Sequence, residues 1–100
     1  MAQEKTAVKE RQNARVKEPR RYKVLVLNDP VTRADFVVQI LQIVFFKSLE
    51  DAKEIMLKAH HEGSAVVGVY SYDIAKSKVE KAMERSHSAS YPLKFTYMPE

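Results

Sequence analysis

The chain alternates between segments with a two-residue hydrophobic repeat and segments with a helical repeat. Residues 21–27 place Tyr22, Val24 and Val26 on one face, which predicts a strand with one buried side. Residues 36–45 carry large apolar side chains three and four positions apart, which predicts an amphipathic helix. The same two patterns predict helices over residues 49–62 and 72–85 and strands over residues 64–70 and 93–98.

The resulting order, β-α-α-β-α-β, indicates an α+β fold in which a small three-stranded antiparallel sheet packs against three helices on one side. The strand over residues 64–70 is apolar on both faces, so we expect it at the centre of the sheet. The serine-rich residues 86–90 are expected to form a loop before the last strand.

Polar residues at the ends of these segments predict the helix boundaries. Thr32 is expected to cap the first helix through its hydroxyl, with Asp35 three residues later in a variant of the capping box. Ser48 and Ser71 are predicted as the N-caps of the second and third helices. Gly63 suits the left-handed position that ends the second helix.

The junction between the first strand and the first helix has two interpretations. Asn28, Asp29 and Pro30 are turn formers, which is typical of a simple strand-to-helix turn. The same oxygen-bearing side chains at a strand end also indicate a ligand site beside the two apolar helices. His60 has two interpretations as well. In the first, it lies at the end of the second helix and its side chain is satisfied by backbone carbonyls. In the second, it lies near Asn28, because a β-α-α unit returns the end of its second helix to the start of its first.

Composition narrows the class of protein. One hundred residues without cysteine are expected to form one small domain with no disulfide, no thiolate metal site and no cysteine nucleophile. Residues 1–20 are polar and of mixed charge, so we predict a disordered N-terminal extension there and a single domain over residues 21–100. The extension carries six basic and three acidic side chains and therefore accounts for +3 of the net charge of +4. The domain over residues 21–100 has a net charge of only +1. We therefore expect no nucleic-acid partner.

The sequence lacks the signals of several other classes of protein. No segment approaches the roughly 18 apolar residues of a membrane span, and the N-terminus has no apolar signal core, so we expect a cytoplasmic protein without a membrane partner. There is no phosphate-binding glycine loop and no nucleophile elbow. His60 and His61 are adjacent, so their side chains diverge by about 100° on a helix and cannot chelate one metal ion together. We expect a protein that is not an enzyme and needs no cofactor or metal.

Several motifs at consistent spacing resemble those of a known protein family. The family signatures are Y-K-V-x-L-x-N-D-x-x-T-x-x-x-F-V and M-x-x-x-H-x-x-G, followed by motifs in the third helix and the last strand. The matching segments are the first strand and its turn (residues 22–29, Thr32, Phe36 and Val37), the second helix (residues 56–63), the third helix (residues 73–79) and the last strand (residues 91–93). The chain thus resembles the ClpS family, the bacterial adaptors of the N-end rule, and the resemblance covers residues 21–98.

The resemblance implies a protease adaptor. It would bind substrates that begin with Leu, Phe, Tyr or Trp and deliver them to the ClpAP protease through the N-terminal domain of the ClpA unfoldase. The family roles in holding the substrate α-amino group fall on Asn28 and His60, with Asp29 beside them. The unfoldase-facing positions correspond to Asp73 and Lys78, the extension takes part in delivery, and we expect a monomer. The family positions that line the apolar pocket correspond to Thr32, Ala34, Val37, Met56, Ala59 and Leu93.

Two departures from the family pattern matter for the proposed site. Pro30 stands where the family usually has a second Asp, often the carboxylate that contacts the amine, so Asp29 or a water takes that role or the amine is held more weakly. Ala34 replaces a bulky Met that guards the pocket entrance, which predicts a roomier pocket and altered selection among apolar residues. Both departures are compatible with a second, divergent ClpS paralogue.

The alternative hypothesis is a small ribosome- or RNA-associated α+β domain. Such a domain would stack bases on aromatic side chains of its sheet, for which Tyr22, Phe95 and Tyr97 are the candidates. The nearly neutral domain and the lack of an aromatic RNP-like motif argue against it. A small enzyme is the third hypothesis, and no residue constellation supports it.

Overall fold

The computed structural model describes residues 20–100, which form three strands and three helices. The antiparallel three-stranded sheet and the order β-α-α-β-α-β confirm the predicted α+β fold. The disordered extension predicted over residues 1–20 lies outside the described residues, apart from Arg20. The elements are β1 (Arg21–Leu27), α1 (Ala34–Ile43), α2 (Leu49–Glu62), β2 (Ser64–Ser71), α3 (Tyr72–Ser88) and β3 (Lys94–Pro99).

β1 is the central strand, in the order β2-β1-β3. Both neighbours run antiparallel to it, so Leu27 lies opposite Ser64 on one side and opposite Lys94 on the other. The prediction that β2 is the central strand was wrong. Val66 on the outer face of β2 is 45% exposed, because the helices cover only one face of the sheet. A strand with two apolar faces can therefore lie at an edge when one face stays uncovered.

The core lies between the inner face of the sheet and the helices. Val24 and Val26 of β1 are buried in one cluster with Ile40 and Leu41 of α1. These are the inward positions that the alternation in β1 predicts, so this prediction is confirmed. The burial of these side chains supplies the main favourable term for holding α1 against β1.

Phe95 of β3 belongs to this core. It lies opposite Val26 in the sheet, is 4% exposed, and stacks on Phe45 with 5.6 Å between the ring centroids. A surface that stacks RNA bases needs exposed aromatic faces. Phe95 is therefore not available for the base-stacking surface considered for Tyr22, Phe95 and Tyr97.

The predicted ends of α2 are confirmed. The Ser48 hydroxyl oxygen accepts a hydrogen bond from the Asp51 amide at 3.1 Å, as an N-cap should. Gly63 ends the helix with a φ of 93°, and its amide donates to the Ala59 carbonyl at 2.8 Å. Ser71 holds the predicted N-cap position of α3, although its side chain makes no cap hydrogen bond.

The start of α1 differs from the prediction. Arg33 is the N-cap residue and has no side-chain cap hydrogen bond, so the cap predicted for Thr32 was wrong. The Thr32 hydroxyl instead donates to Asp29 at 2.7 Å, because that carboxylate is a strong acceptor three residues earlier. Asp35 pairs with the Arg33 guanidinium at 3.2 Å and completes no capping box.

α3 is longer than predicted. It continues to Ser88, so the loop expected over residues 86–90 was wrong at its start. The Ser86 hydroxyl donates to the Ala82 carbonyl at 2.9 Å inside the helix. This bond satisfies the buried serine without breaking the helix. The turn comes later, at Ser90, which has a φ of 62°.

Candidate functional site

A cavity of about 300 Å³ opens where the junction between β1 and α1 meets the C-terminal half of α2. Its lining combines polar side chains from the junction and the helix end with apolar side chains from both helices and from the residue before β3. The lining residues are Val26, Leu27, Asn28, Asp29, Pro30, Thr32, Ala34, Val37, Met56, Ala59, His60 and Leu93.

One backbone hydrogen bond joins the two polar parts of this cavity. The Asn28 amide donates to the Gly63 carbonyl at 2.9 Å. Because Gly63 reverses the chain in a left-handed conformation, the end of α2 lies beside the end of β1. His60, one turn before Gly63, therefore lines the same cavity as Asn28. The expectation that the β-α-α unit brings these residues together is confirmed.

Asp29 organises the turn through one carboxylate oxygen. Its Oδ2 accepts hydrogen bonds from the Thr32 hydroxyl and the Thr32 amide, both at 2.7 Å, and from the Val31 amide at 3.1 Å. The hydrogen bond from the Thr32 hydroxyl is the main cause that lowers the pKa of Asp29 below its ordinary value. The carboxylate is charged at neutral pH, so a fixed negative charge lies at the cavity rim.

The cavity is polar at its mouth and apolar inside. Asn28 and His60 are exposed, and within residues 20–100 neither side chain takes part in a hydrogen bond. Val37, Ala59 and Leu93 are buried and line the interior. A cavity of this kind can accept hydrogen bonds from a charged group at the mouth while it buries an attached apolar side chain.

The residues predicted from the sequence for α-amino recognition and for the apolar pocket all line this one cavity. They come from the junction, from α1, from α2 and from the residue before β3. Val26 and Leu27 also line it and were not among the predicted site residues. A signal for them was present, because they directly precede Asn28 at the end of β1.

The two residues predicted to face the unfoldase lie elsewhere, on α3. Asp73 is exposed in the first turn of the helix. The Lys78 ammonium donates to the Val44 carbonyl at 2.9 Å and lies 4.5 Å from the centroid of the Phe46 ring. Burial lowers the pKa of Lys78, and the nearby charge of Lys81 lowers it further. The Lys78 side chain is thus held in place on the surface.

The described residues offer no metal site of the usual kind. Among residues 20–100, no three His, Asp or Glu side chains are grouped so that they could hold a metal ion. The rings of His60 and His61 have their centroids 5.4 Å apart and are inclined at 71°. In the same part of the chain, no helix combines the length and apolar character that a bilayer crossing requires.

Comparison with known proteins identifies the family. A sequence model described as "ATP-dependent Clp protease adaptor protein ClpS" matches residues 17–96. The ATP-dependent Clp protease adapter protein ClpS of Acetivibrio thermocellus is 47% identical over 97 residues, which cover 97% of this chain and 98% of the relative. The ClpS protein of Leptospira biflexa is 48% identical over 85 residues, which cover 85% of this chain and 75% of the relative.

A solved structure agrees with these matches. Agrobacterium tumefaciens ClpS2 bound to L-phenylalaninamide is 42% identical and superposes with a TM-score of 0.81, covering 83% of this chain and 100% of that one. The sequence similarity and the shared fold lead to the same assignment. This chain belongs to the ClpS family of ATP-dependent Clp protease adaptor proteins.

Proposed function

We propose that this adaptor binds proteins whose first residue is Leu, Phe, Tyr or Trp and delivers them to the ClpAP protease. The observation that carries the proposal is one cavity with polar acceptors at its mouth and an apolar interior. An N-terminal residue has the same two parts, an ammonium group and a side chain on the same carbon. The adaptor contributes binding, and the hydrolysis of peptide bonds belongs to the protease, so it is not an enzyme and uses no cofactor.

Recognition of the amine rests on hydrogen-bond acceptors. An α-ammonium has three N–H donors and no acceptor. The Asn28 side-chain oxygen and an unprotonated His60 nitrogen supply two acceptors at the mouth. Asp29 supplies negative charge and its second oxygen, since Oδ2 is already engaged by the turn. An unpaired donor or acceptor in a desolvated site costs about 1–3 kcal/mol. Acetylated termini and internal peptide bonds leave these acceptors unpaired and therefore bind weakly.

Recognition of the side chain rests on burial. Complete burial of a large apolar side chain contributes about 1.5–3 kcal/mol. Met56 is half-buried at the wall and adapts to different shapes. Ala34 leaves the entrance open to the largest side chains, whereas Ile and Val fit less well because their χ1 angles are restricted. L-Phenylalaninamide, the ligand of the Agrobacterium relative, has both the free amine and the apolar side chain that the proposal requires.

Delivery would use a second face of the protein. Asp73 and Lys78 lie on α3, outside the cavity, so a substrate and an unfoldase can be bound together. We assign these residues to the N-terminal domain of a ClpA-type unfoldase, and residues 1–20 to the handover of the substrate. The adaptor acts as a monomer in the cytoplasm under this proposal, with no nucleic acid or membrane as partner.

A peptide titration tests the proposal. Peptides that differ only in their first residue (Phe, Leu, Tyr, Trp, Ile or Val) are titrated by fluorescence anisotropy, each with a free and with an acetylated N-terminus. We expect the free forms of the first four to bind at least about tenfold more tightly than their acetylated forms, the equivalent of about 1.4 kcal/mol. Equal affinity for free and acetylated peptides would contradict the proposal.

A further inference from the structure

A second and larger depression, of about 750 Å³, lies between α1 and α3. We call it the α1–α3 groove. Its apolar wall comes from α1 and the residues that follow it, including Ile43, Val44 and Phe46. Its polar wall comes from α3, with Lys78, Lys81 and Arg85. It shares no lining residue with the cavity at the junction of β1 and α1, so a ligand in one leaves the other open.

The apolar wall of the groove includes a fixed and exposed aromatic side chain. Phe46 is 79% exposed, although aromatic side chains of this size are usually buried. Its φ of 56° lies in the left-handed region, which is costly for a residue with a Cβ atom. The Lys78 ammonium lies over the ring at 4.5 Å from its centroid. Exposed Ile43 extends the apolar wall next to it.

The polar wall carries positive charge that the described residues leave uncompensated. Positions 78, 81 and 85 are three and four residues apart, so they share one face of α3. Within residues 20–100, no carboxylate lies within 4.0 Å of Lys81 or Arg85, whereas Lys76 on the neighbouring face pairs with Glu80 at 3.5 Å. The like charge of Lys81 also lowers the pKa of Lys78. A negatively charged ligand would relieve this repulsion.

We propose that the α1–α3 groove binds an acidic segment of a partner protein, with one large apolar side chain against Phe46 and Ile43 and carboxylates against Lys81 and Arg85. Three basic residues and Glu84 line the groove, so the wall has an excess of two positive charges. An exposed apolar wall beside uncompensated cations matches a peptide that alternates acidic and apolar residues. This site is independent of the proposed binding of N-terminal residues, since the two cavities are separate.

The probe is a short synthetic peptide in which Asp and Glu flank one Phe and one Leu. Its N-terminus is acetylated, so that it cannot offer a free amine to the other pocket. Binding to the full chain is followed by the NMR shifts of backbone amides. We expect saturable shifts at Gln39, Ile43 and Ser88 with little change at Asn28, and weaker binding when the salt concentration rises from about 50 to about 300 mM.

Charge reversal identifies the wall that binds the peptide. The variant Lys81→Glu/Arg85→Glu is compared with Lys53→Glu/Lys58→Glu, which makes the same change of charge at exposed positions of α2. Lys78 is left intact, because it is also assigned to the unfoldase. We expect about a tenfold loss of affinity for the first variant and less than about twofold for the second. Both variants should bind L-phenylalaninamide like the parent, which separates this proposal from the preceding one.

The following results would overturn the proposal. The first is an absence of saturable shifts along the groove, and the second is equal loss of affinity in the two double variants. The third is that a peptide with Lys in place of Asp and Glu binds equally well. If single-stranded RNA or anionic phosphatidylglycerol vesicles shift the groove amides and the acidic peptide does not, the groove binds phosphate groups and the proposal is wrong.

Discussion

The backbone amide of Asn28 donates to the carbonyl of Gly63 at 2.9 Å, and this bond joins the end of β1 to the end of α2. Gly63 makes the contact possible because it leaves the helix with a φ of 93°. The position of His60 relative to Asn28 therefore depends on the conformation of one glycine. The conformation of Gly63 therefore affects both the stability of the fold and the geometry of the cavity.

Gly63→Ala should lower the free energy of unfolding by about 1–2 kcal/mol, measured by urea denaturation. No heavy atom lies within 4 Å of a Cβ built at this position, so the loss comes from the left-handed backbone and not from a clash. Gly63→Asn is the control and should lose less, because asparagine tolerates this conformation. Equal stability of the alanine variant and the parent would contradict the prediction.

Thr32→Val should raise the pKa of Asp29, and it should weaken the binding of L-phenylalaninamide several-fold because the turn at the cavity mouth loses one of the three hydrogen bonds to Asp29. The valine keeps the shape of the side chain but removes the hydroxyl donor that mainly lowers the pKa of that carboxyl. Thr32→Ser retains the donor and should behave like the parent in both measurements. The carboxyl pKa is followed by NMR titration, and an identical Asp29 titration in all three proteins would rule out this role of the hydroxyl.

Ligand affinity should show a maximum near neutral pH. The Thr32 hydroxyl lowers the pKa of Asp29 from an ordinary value of 3.8, so the carboxylate contributes above that range and its contribution is lost only in stronger acid. The ligand α-amine loses its charge near pH 8, which gives the alkaline limb.

A pair of adjacent histidines tests the role of His60 as an acceptor. His60→Ala should weaken the binding of L-phenylalaninamide several-fold, because it removes an acceptor from the cavity mouth, whereas His61→Ala should bind like the parent, because His61 does not line the cavity. Affinities are measured by isothermal titration. Equal affinities of the two variants would mean that His60 is not an acceptor for the amine, and an unchanged affinity of the parent between pH 7 and 9 would contradict the alkaline limb.

Pro30→Asp should tighten the binding of peptides with a free N-terminal Phe. Pro30 lines the cavity, so a carboxylate there adds negative charge near the amine. Pro30→Asn is the matched control, since it makes the same change of backbone freedom and shape without the charge. We expect the Asp variant to bind about two- to fivefold more tightly than the Asn variant, as for a partly exposed ion pair. Equal affinities would indicate that Asp29 already meets the need for charge.

Ala34→Met should reduce the affinity for peptides that begin with Trp more than for those that begin with Leu. Ala34 lines the cavity at the first residue of α1, and a longer side chain would occupy part of the 300 Å³. Ala34→Ser, which adds little volume, should preserve the preference of the parent. Competition binding with the two peptides measures the ratio. An unchanged ratio in the Met variant would show that residue 34 does not limit the entrance.

Local sequence patterns accounted for the elements and for several of their ends. The alternation in residues 21–27 and the caps of α2 at Ser48 and Gly63 depend on side chains a few positions apart. They can therefore be predicted without knowing which segment of the chain packs against them. The position of β2 at the sheet edge, by contrast, depends on which face the helices cover. The cap predicted for Thr32 failed because Asp29 competes for its hydroxyl.

The sequence by itself determined the element order, the inward face of β1 and, through its motifs, the chemical types that line the cavity at the junction of β1 and α1. Only the tertiary structure decided that His60 and Asn28 line one cavity and that α3 extends through a buried Ser86. It alone placed Phe46 beside the cations of α3. These outcomes depend on packing between segments distant in the chain, where burial and hydrogen bonding override local preference.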